Sequence, residues 1–290
     1  PFYTSSSKHM INHFRQYSKW IKKNYLNRGG NLLELGSNDG TFLKNFSDNF
    51  NVGYEPSKSV HNFAKREGLY SMNKFFNYSS IKPFLKKKIK FDVIVGSNVI
   101  CHIPDQNNLI KNFDRLLSHK GFIIFEEPYL GSMYKKTSYD QIYDEHIYMF
   151  SASSIDRIYK KHGFKLIDAI PQKTHGGSMR YIISRNKNKN ITNRLKKIFI
   201  YEKKFLVNSF RGCQIFKNNV ENSKKKLIKK LKNLKNKGQK ICGYGATSKS
   251  TTILNYCKIN SNFIDCIFDT TKDKIGKYSP GMHIPIKNYK

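Results

Sequence analysis

Leu32-Leu33-Glu34-Leu35-Gly36-Ser37-Asn38-Asp39-Gly40-Thr41 decides the fold. Its apolar start reads as a buried strand, which runs into a turn bounded by two glycines. A helix is expected to open at Thr41. Glycine permits the tight turn and lets backbone approach a ligand at a helix start. Nineteen residues after Gly36, a second strand from Asn51 ends at Glu55 and is stopped by Pro56. A carboxylate in that place can accept both hydrogen bonds of a ribose diol. The loop lacks GxGxxG spacing, so by itself it is weak evidence for any one cofactor.

The alternation continues outward from that stretch. Phe91 to Ser97 and Gly121 to Glu126 read as buried strands, and between them Leu109, Phe113, Leu116 and Leu117 mark a helix face. Phe164 to Ile170 and Arg180 to Ser184 supply two late strands, while Trp20, Ile21 and Tyr25 belong to a helical cap before residue 31. Strands alternating with helices from 31 to 185 predict an α/β layer fold. Residues 187–238 turn Lys- and Asn-rich, with Leu227, Ile228, Leu231 and Leu234 at helical spacing. From Lys240 a new unit begins, with strand KICGYG, a helix reaching Cys257 and strand IDCIFD ending at Asp269. The expected organisation is therefore a main domain over 1–186, a helical linker over 187–238 and a smaller α/β unit over 239–290.

Composition narrows the function classes. A chain of 290 residues with 38% hydrophobic residues can bury a sizeable core. No apolar run is long enough to span a membrane. The opening Pro1-Phe2-Tyr3 has neither a methionine nor a charged-then-apolar leader, and reads as a fragment or processed product without a signal peptide. Five cysteines form no CxxC pair, so neither a disulfide framework nor a metal site is expected, and a reducing cytoplasm is the default location. The formal charge of +33 raises nucleic acid as a partner. Few of the basic residues are Arg, however, and Lys, Asn, Ile, Tyr and Phe are abundant together, as in a coding bias spread over a solvated surface. No specific nucleic acid or membrane partner is expected, and the chain is expected to be a monomer. The positive field would still attract a phosphate-bearing small molecule.

Two further strings carry candidate chemistry. Ser97-Asn98-Val99-Ile100-Cys101-His102-Ile103-Pro104-Asp105 follows a strand, and open α/β sheets bind ligands beyond the carboxyl ends of strands. Asn98 and His102 are placed to touch a cofactor. Helix capping after Pro104 would account for Asp105 but not for the whole string. Gly243-Tyr244-Gly245-Ala246-Thr247-Ser248-Lys249 repeats the strand–turn–helix logic and suits a diphosphate, with Lys249 as a point charge and Asp269 near a ribose. A purely structural small domain would read the same way.

The strand–loop–helix–strand–Glu string resembles the S-adenosylmethionine site of Rossmann-like methyltransferases, a geometry that NAD enzymes share. Motifs over almost the whole chain resemble the sugar C-methyltransferases that methylate carbon 3 of nucleotide-linked 4-keto-6-deoxyhexoses. They are YTSSS from Tyr3, ELGSNDGTFL from Glu34, GYEPS from Gly53, SNVICHIPD from Ser97, Glu126-Glu127-Pro128-Tyr129 and the stretch Tyr139 to Ser151. THGGSMR from Thr174, GYGATSKSTTILNYC from Gly243 and KIGKYSPGMHIPI from Lys274 complete the match. The resemblance implies a Rossmann-like class I methyltransferase domain, a helical linker and a smaller Rossmann-like α/β domain. It implies S-adenosylmethionine as cofactor, held by Glu34, Gly36, Ser37, Asn38, Asp39, Gly40, Glu55, Asn98 and His102. It implies no metal in this chain, since the family's zinc sits in a four-cysteine module preceding the first motif, and a C-terminus continuing some tens of residues further. The family commonly reads Tyr-His-Glu-His where this chain reads Tyr143-Asp144-Glu145-His146, which leaves the sugar undecided.

Methylating a carbon beside a ketone requires a base that titrates near neutral pH and donors for the charge growing on the ketone oxygen. Tyr143 and His146, three apart on a loop after the fifth strand, suit these tasks. By resemblance, His146 is the base, Tyr143 assists the enolate or proton transfer, and Glu145 orients His146. His175, Gly176, Gly177 and Ser178 would cradle the sugar or form a simple turn, and Tyr244 and Lys249 would meet the nucleotide. Two other readings stay open: an O- or N-methyltransferase of a small metabolite, and a basic nucleic-acid-binding protein with an inactive methyltransferase fold.

Overall fold

The computed structural model describes residues 3–186 and 188–289. Pro1 and Phe2 of the opening, Lys187 at the start of the expected linker, and Lys290 lie outside them. In chain order the elements are α1 (Lys8–Asn24), β1 (Asn31–Leu35), β2 (Phe50–Tyr54), α2 (Lys58–Arg66), β3 (Ser71–Met72), α3 (Tyr78–Lys86) and β4 (Phe91–Ser97). There follow α4 (Gln106–Leu116), β5 (Leu117–Pro128), α5 (Leu130–Lys136), α6 (Ala152–Lys160), β6 (Lys165–Gln172), β7 (Ser178–Ser184) and α7 (Asn193–Lys204). The last are α8 (Phe210–Asn236), β8 (Cys242–Tyr244), α9 (Ser248–Cys257), β9 (Cys266–Asp269) and β10 (Ile286–Asn288). They fall into two compact units, Pro1–Tyr129 with Ile147–Lys204, and Leu130–His146 with Phe205–Lys290. The segment read as a linker is divided between them, α7 in the first and α8 in the second.

The first unit is a seven-stranded sheet in the order β3-β2-β1-β4-β5-β7-β6. Only β7 runs against its neighbours, and the others are parallel. This is the mixed α/β, Rossmann-like layer that the sequence predicts. Strands such as Phe91–Ser97 are apolar on both faces because each face is covered. On one face Phe14, Tyr17 and Ile21 of α1 pack against Leu32, Val93, Val95 and Ile124. Each of those three side chains contributes roughly 1.5–3 kcal/mol by leaving water. On the other face Leu33, Leu35, Ile94, Ile123 and Phe125 meet α3, α4 and α6. Asp105 caps α4 by accepting from Asn108 N, as the sequence suggests, and Ser7 and Asn77 cap α1 and α3 by accepting from Met10 N and Ser80 N. The second unit holds a three-stranded parallel sheet, β10-β9-β8. No described helix is long and apolar enough to cross a membrane.

One element differs from expectation. No α-helix opens at Thr41; the loop passes into a 3-10 turn, Leu43–Asn45. The Asn45 amide donates to the carbonyls of Thr41 and Phe42, the acceptors that a growing helix would use. Asp39 pins the other side by accepting from both the Thr41 hydroxyl and its N–H.

A buried anion closes the first unit behind the sheet. Glu202 of α7 is 2% exposed and accepts hydrogen bonds from Ala152 N, Ser153 N and the Tyr129 hydroxyl. Two of those donors open α6, where a negative charge meets the helix dipole. Removing the carboxylate strands the Tyr129 hydroxyl and Ala152 N, which are buried, and the N–H and hydroxyl of half-buried Ser153. Glu202→Ala should therefore cost about 3 kcal/mol in urea denaturation. A loss below the error of the measurement would mean that water replaces the side chain.

Candidate functional site

The first cluster gathers at the carboxyl ends of β1, β2 and β4. Gly36 turns the chain at φ 63°, and a Cβ there would lie 2.9 Å from a Val99 methyl. Gly53 on β2 leaves room for Ser37, whose Oγ would stand 2.4 Å from a Cβ at that position. Asn38 and Asn98 both adopt left-handed backbone, at φ 49° and 56°, a conformation asparagine tolerates better than most residues. Glu55, 7% exposed, accepts from Asn38 N at 3.0 Å through one oxygen and from Ser57 N at 2.7 Å through the other. It therefore braces the loop as well as facing it.

Asp39 and Asn38 tie this loop to the chain's opening motif. The Asp39 carboxylate accepts from Ser5 N at 2.8 Å, and the Asn38 amide oxygen from Thr4 N at 2.9 Å. Burial would raise the Asp39 carboxyl, but hydrogen bonds from Thr41 and Ser5 outweigh it and hold it below its usual range. The YTSSS and SNDG motifs thus form one structure, through contacts that sequence spacing hides.

Three polar atoms here are buried and without a hydrogen-bond partner: Glu34 Oε2, Ser37 Oγ and Asn98 Oδ1. Native interiors rarely leave such atoms unpaired, and each suits a ligand's donors or acceptors. Glu34 is pushed well above the carboxylate range by burial, then by the charges of Asp39 and Glu55. Three carboxyl groups, Glu34 on β1, Asp39 in the loop and Glu55 after β2, favour a cationic ligand, and a sulfonium or ammonium group suits them.

His102 sits in the 3-10 turn Ile100–His102, held from behind by Glu127. Glu127 is fully buried and accepts from Val99 N at 3.0 Å and Ile100 N at 2.7 Å. Burial raises its carboxyl, and it in turn helps burial to raise the Cys101 thiol. Its neighbour Glu126 points to the other face, where it binds His13 at 2.6 Å and the Arg180 guanidinium. Arg180 also stacks 3.8 Å from the Tyr17 ring. Neither Glu126, Glu127, His13 nor Arg180 received a role from the sequence. For Glu126, Glu127 and Arg180 the only signal was their presence inside matched motifs, and His13 lies in none of them. Ser178 pairs with Pro128, which sets the His175–Ser178 turn at the same sheet edge as the strand ends. Within that turn His175 has φ 49°, and the Gly177 N–H donates to Thr174 O.

The second unit carries a different constellation. Tyr143 to His146 is a turn closed by His146 N donating to Tyr143 O at 2.9 Å, which brings the two side chains together. The Tyr143 hydroxyl lies 2.9 Å from His146 Nε2, and His146 Nδ1 lies 2.9 Å from Gln141 O. A carbonyl only accepts, so Nδ1 carries a proton and the neutral ring presents Nε2 as its base. The orienting bond at Nδ1 comes from backbone, and Glu145 is exposed. In the same unit Gly245 turns at φ 89° between β8 and α9, and Thr247 caps α9 reciprocally with Ser250. Tyr244 is 70% exposed and Lys249 half-buried beside that turn. Asp269 closes the turn by accepting from Ala246 N and Thr271 N, both at 2.8 Å. Burial opposes its ionisation, but these bonds and Lys274 prevail and bring its carboxyl down to about 2.

The chain is similar to known proteins over most of its length. Residues 9–169 match the family described as methyltransferase domain, and residues 173–290 match the C-methyltransferase C-terminal domain. The C-methyltransferase NovU of Streptomyces niveus is 24% identical over 289 residues, 98% of this chain and 69% of that protein. Magnesium protoporphyrin IX methyltransferase (ChlM) of Synechocystis PCC 6803, solved with bound SAM, is 13% identical. It covers 61% of this chain and 79% of that one, with a TM-score of 0.44. A possible histamine N-methyltransferase of Thermotoga maritima is 18% identical over 61% of this chain and 89% of its own, with a TM-score of 0.43.

Glu34 supplies a test that needs no ligand. A carboxyl raised by folding favours the fold below its unfolded pKa, and that advantage is lost as pH rises through the folded value. Glu34→Gln, which cannot ionise, should therefore be more stable than the parent at pH 8, by about 1 kcal/mol or more. The gain should vanish near pH 4. Equal stability of the two proteins at pH 8 would contradict the burial of an ionisable group there.

Proposed function

The chain belongs to the methyltransferase-domain family and is an S-adenosylmethionine-dependent C-methyltransferase, and from that premise we propose its acceptor and its base. The acceptor is a carbon, C-3, of a nucleotide-diphosphate-linked 4-keto-deoxysugar, and His146 is the base. The observation that carries this reading is the Tyr143–His146–Gln141 arrangement. It leaves a neutral imidazole with its basic nitrogen turned to a phenol, as a proton abstraction requires. S-adenosylmethionine, when bound, supplies an electrophilic methyl group. Glu34, the Gly36–Gly40 loop, Glu55, Asn98 and His102 are the residues that would hold it.

The remaining steps belong to the chain's own groups. A ketone makes the neighbouring C–H acidic, and Nε2 of His146 takes that proton while the electron pair moves toward the ketone oxygen. The Tyr143 hydroxyl, leaving Nε2, is the donor nearest to hand for that oxygen. The electron-rich carbon that results would meet the electrophilic methyl of a cofactor held by Glu34, Gly36–Gly40, Glu55, Asn98 and His102. The carbon supplies the pair of the new C–C bond, and the C–S pair stays on sulfur. The Gly243–Lys249 turn, opening α9 in a chain of formal charge +33, suits the diphosphate of the substrate. His175, Gly176, Gly177 and Ser178 are the proposed neighbours of the sugar.

Proton abstraction can be followed apart from methyl transfer. With S-adenosylhomocysteine bound, the wild-type protein should exchange the hydrogen beside the ketone for deuterium without methylating the sugar. His146→Ala should lose exchange and turnover together by roughly a hundredfold or more, while still binding S-adenosylhomocysteine. Tyr143→Phe should lose less if the hydroxyl supports the enolate, and as much if the phenol itself takes the proton. Full exchange in His146→Ala would move the base elsewhere, with His175 next in line.

A further inference from the structure

We infer that Tyr139 is a positioning residue that docks the catalytic turn on α9 and thereby fixes the protonation pattern of His146. The inference rests on the reading of His146 as the base. The carbonyl that holds Nδ1 belongs to Gln141, the last residue of the 3-10 turn Tyr139–Gln141. That turn is closed by Gln141 N donating to Ser138 O and Ile142 N donating to Tyr139 O, and its place in the unit is set by packing. Ser138 enters it, and Thr137, just past the end of α5, sits at φ 55°.

The contacts that dock the turn come from Tyr139. Its side chain is 8% exposed, its hydroxyl lies 3.4 Å from Cys257 Sγ, and its ring centroid lies 5.4 Å from that of Tyr256. Both partners stand at the carboxyl end of α9, and the Tyr256 hydroxyl bonds to Glu221 of α8. Gln141 is buried next to it, at 2% exposure. The helix that the Gly245–Thr247 turn opens therefore holds, at its other end, the turn that presents a proton acceptor to Nδ1. Which imidazole nitrogen is protonated follows from the hydrogen bond made by the other. Without the Gln141 carbonyl in place, the proton is no longer confined to Nδ1, and Nε2 loses its fixed role as acceptor.

The tautomer can be read directly by nitrogen-15 NMR of histidine-labelled protein, with the His146 signals identified by their loss in His146→Gln. Wild type and Tyr139→Phe, which keeps the ring, should show Nδ1 protonated. Tyr139→Leu, which keeps apolar bulk but not the aromatic docking, should lose that pattern. It should lower turnover about tenfold on deoxythymidine-diphosphate-linked 4-keto-6-deoxyglucose, leave KM for S-adenosylmethionine unchanged, and be rescued by Phe. Nε2 protonated in wild type, or Nδ1 still protonated in folded Tyr139→Leu, would overturn the inference. Neither result depends on His146 being the base, which the exchange measurement on His146→Ala decides separately.

Discussion

Turns that leave the end of a strand present backbone N–H groups with no ladder partner, and buried carboxylates accept them throughout this protein. Glu55 takes Asn38 N and Ser57 N, Asp39 takes Ser5 N and Thr41 N, and Glu127 takes Val99 N and Ile100 N. In the second unit Asp269 does the same for Ala246 and Thr271. An unmade hydrogen bond of this kind costs about 1–3 kcal/mol, so each carboxylate decides the shape of its loop. The chain has 20 acidic residues against 53 basic ones, and a striking share of its structure rests on a handful of the former. Surface charge is plentiful and interchangeable; these acids are neither.

That division of labour explains how one residue can brace and bind at once. A carboxylate oxygen has two lone-pair directions, and Glu55 gives one on each oxygen to the loop. Glu34 differs, since burial and then the charges of Asp39 and Glu55 raise its carboxyl and one of its oxygens lacks a partner. A cation arriving beside it would relieve that arrangement. The Tyr143–His146 pair in the second unit, the proposed acid–base group, follows a separate logic, in which a backbone carbonyl accepts from the histidine's Nδ1.

Much of the fold was legible because its strands are buried on both faces and so read as continuous apolar runs. β1, β2, β4 and β5 announce themselves in this way. β3 and β10 do not, because two or three residues such as Ser71 and Met72 give no pattern to detect. The helix expected at Thr41 failed on a side-chain contact, Asn45 to the carbonyls of Thr41 and Phe42, that propensity does not register. In the candidate site, the loop and the Tyr143–His146 pair stood out as residue types at a telling spacing. The Gln141 carbonyl was invisible, since every residue has one. The His13–Glu126–Arg180 cluster joins residues up to 167 positions apart by numbering, a closeness that only the sheet creates.

The account's central claim is that a carbon of a nucleotide-linked keto sugar receives the methyl group. The most direct measurement uses S-adenosylmethionine labelled with carbon-13 in its methyl group, together with the deoxythymidine-diphosphate-linked 4-keto-6-deoxyglucose and its reduced 4-hydroxy counterpart. Carbon NMR of the products should reveal a labelled methyl coupled to a ring carbon beside the ketone, and no transfer to the reduced sugar. A labelled methyl on oxygen or nitrogen, or equal transfer to both sugars, would contradict the account.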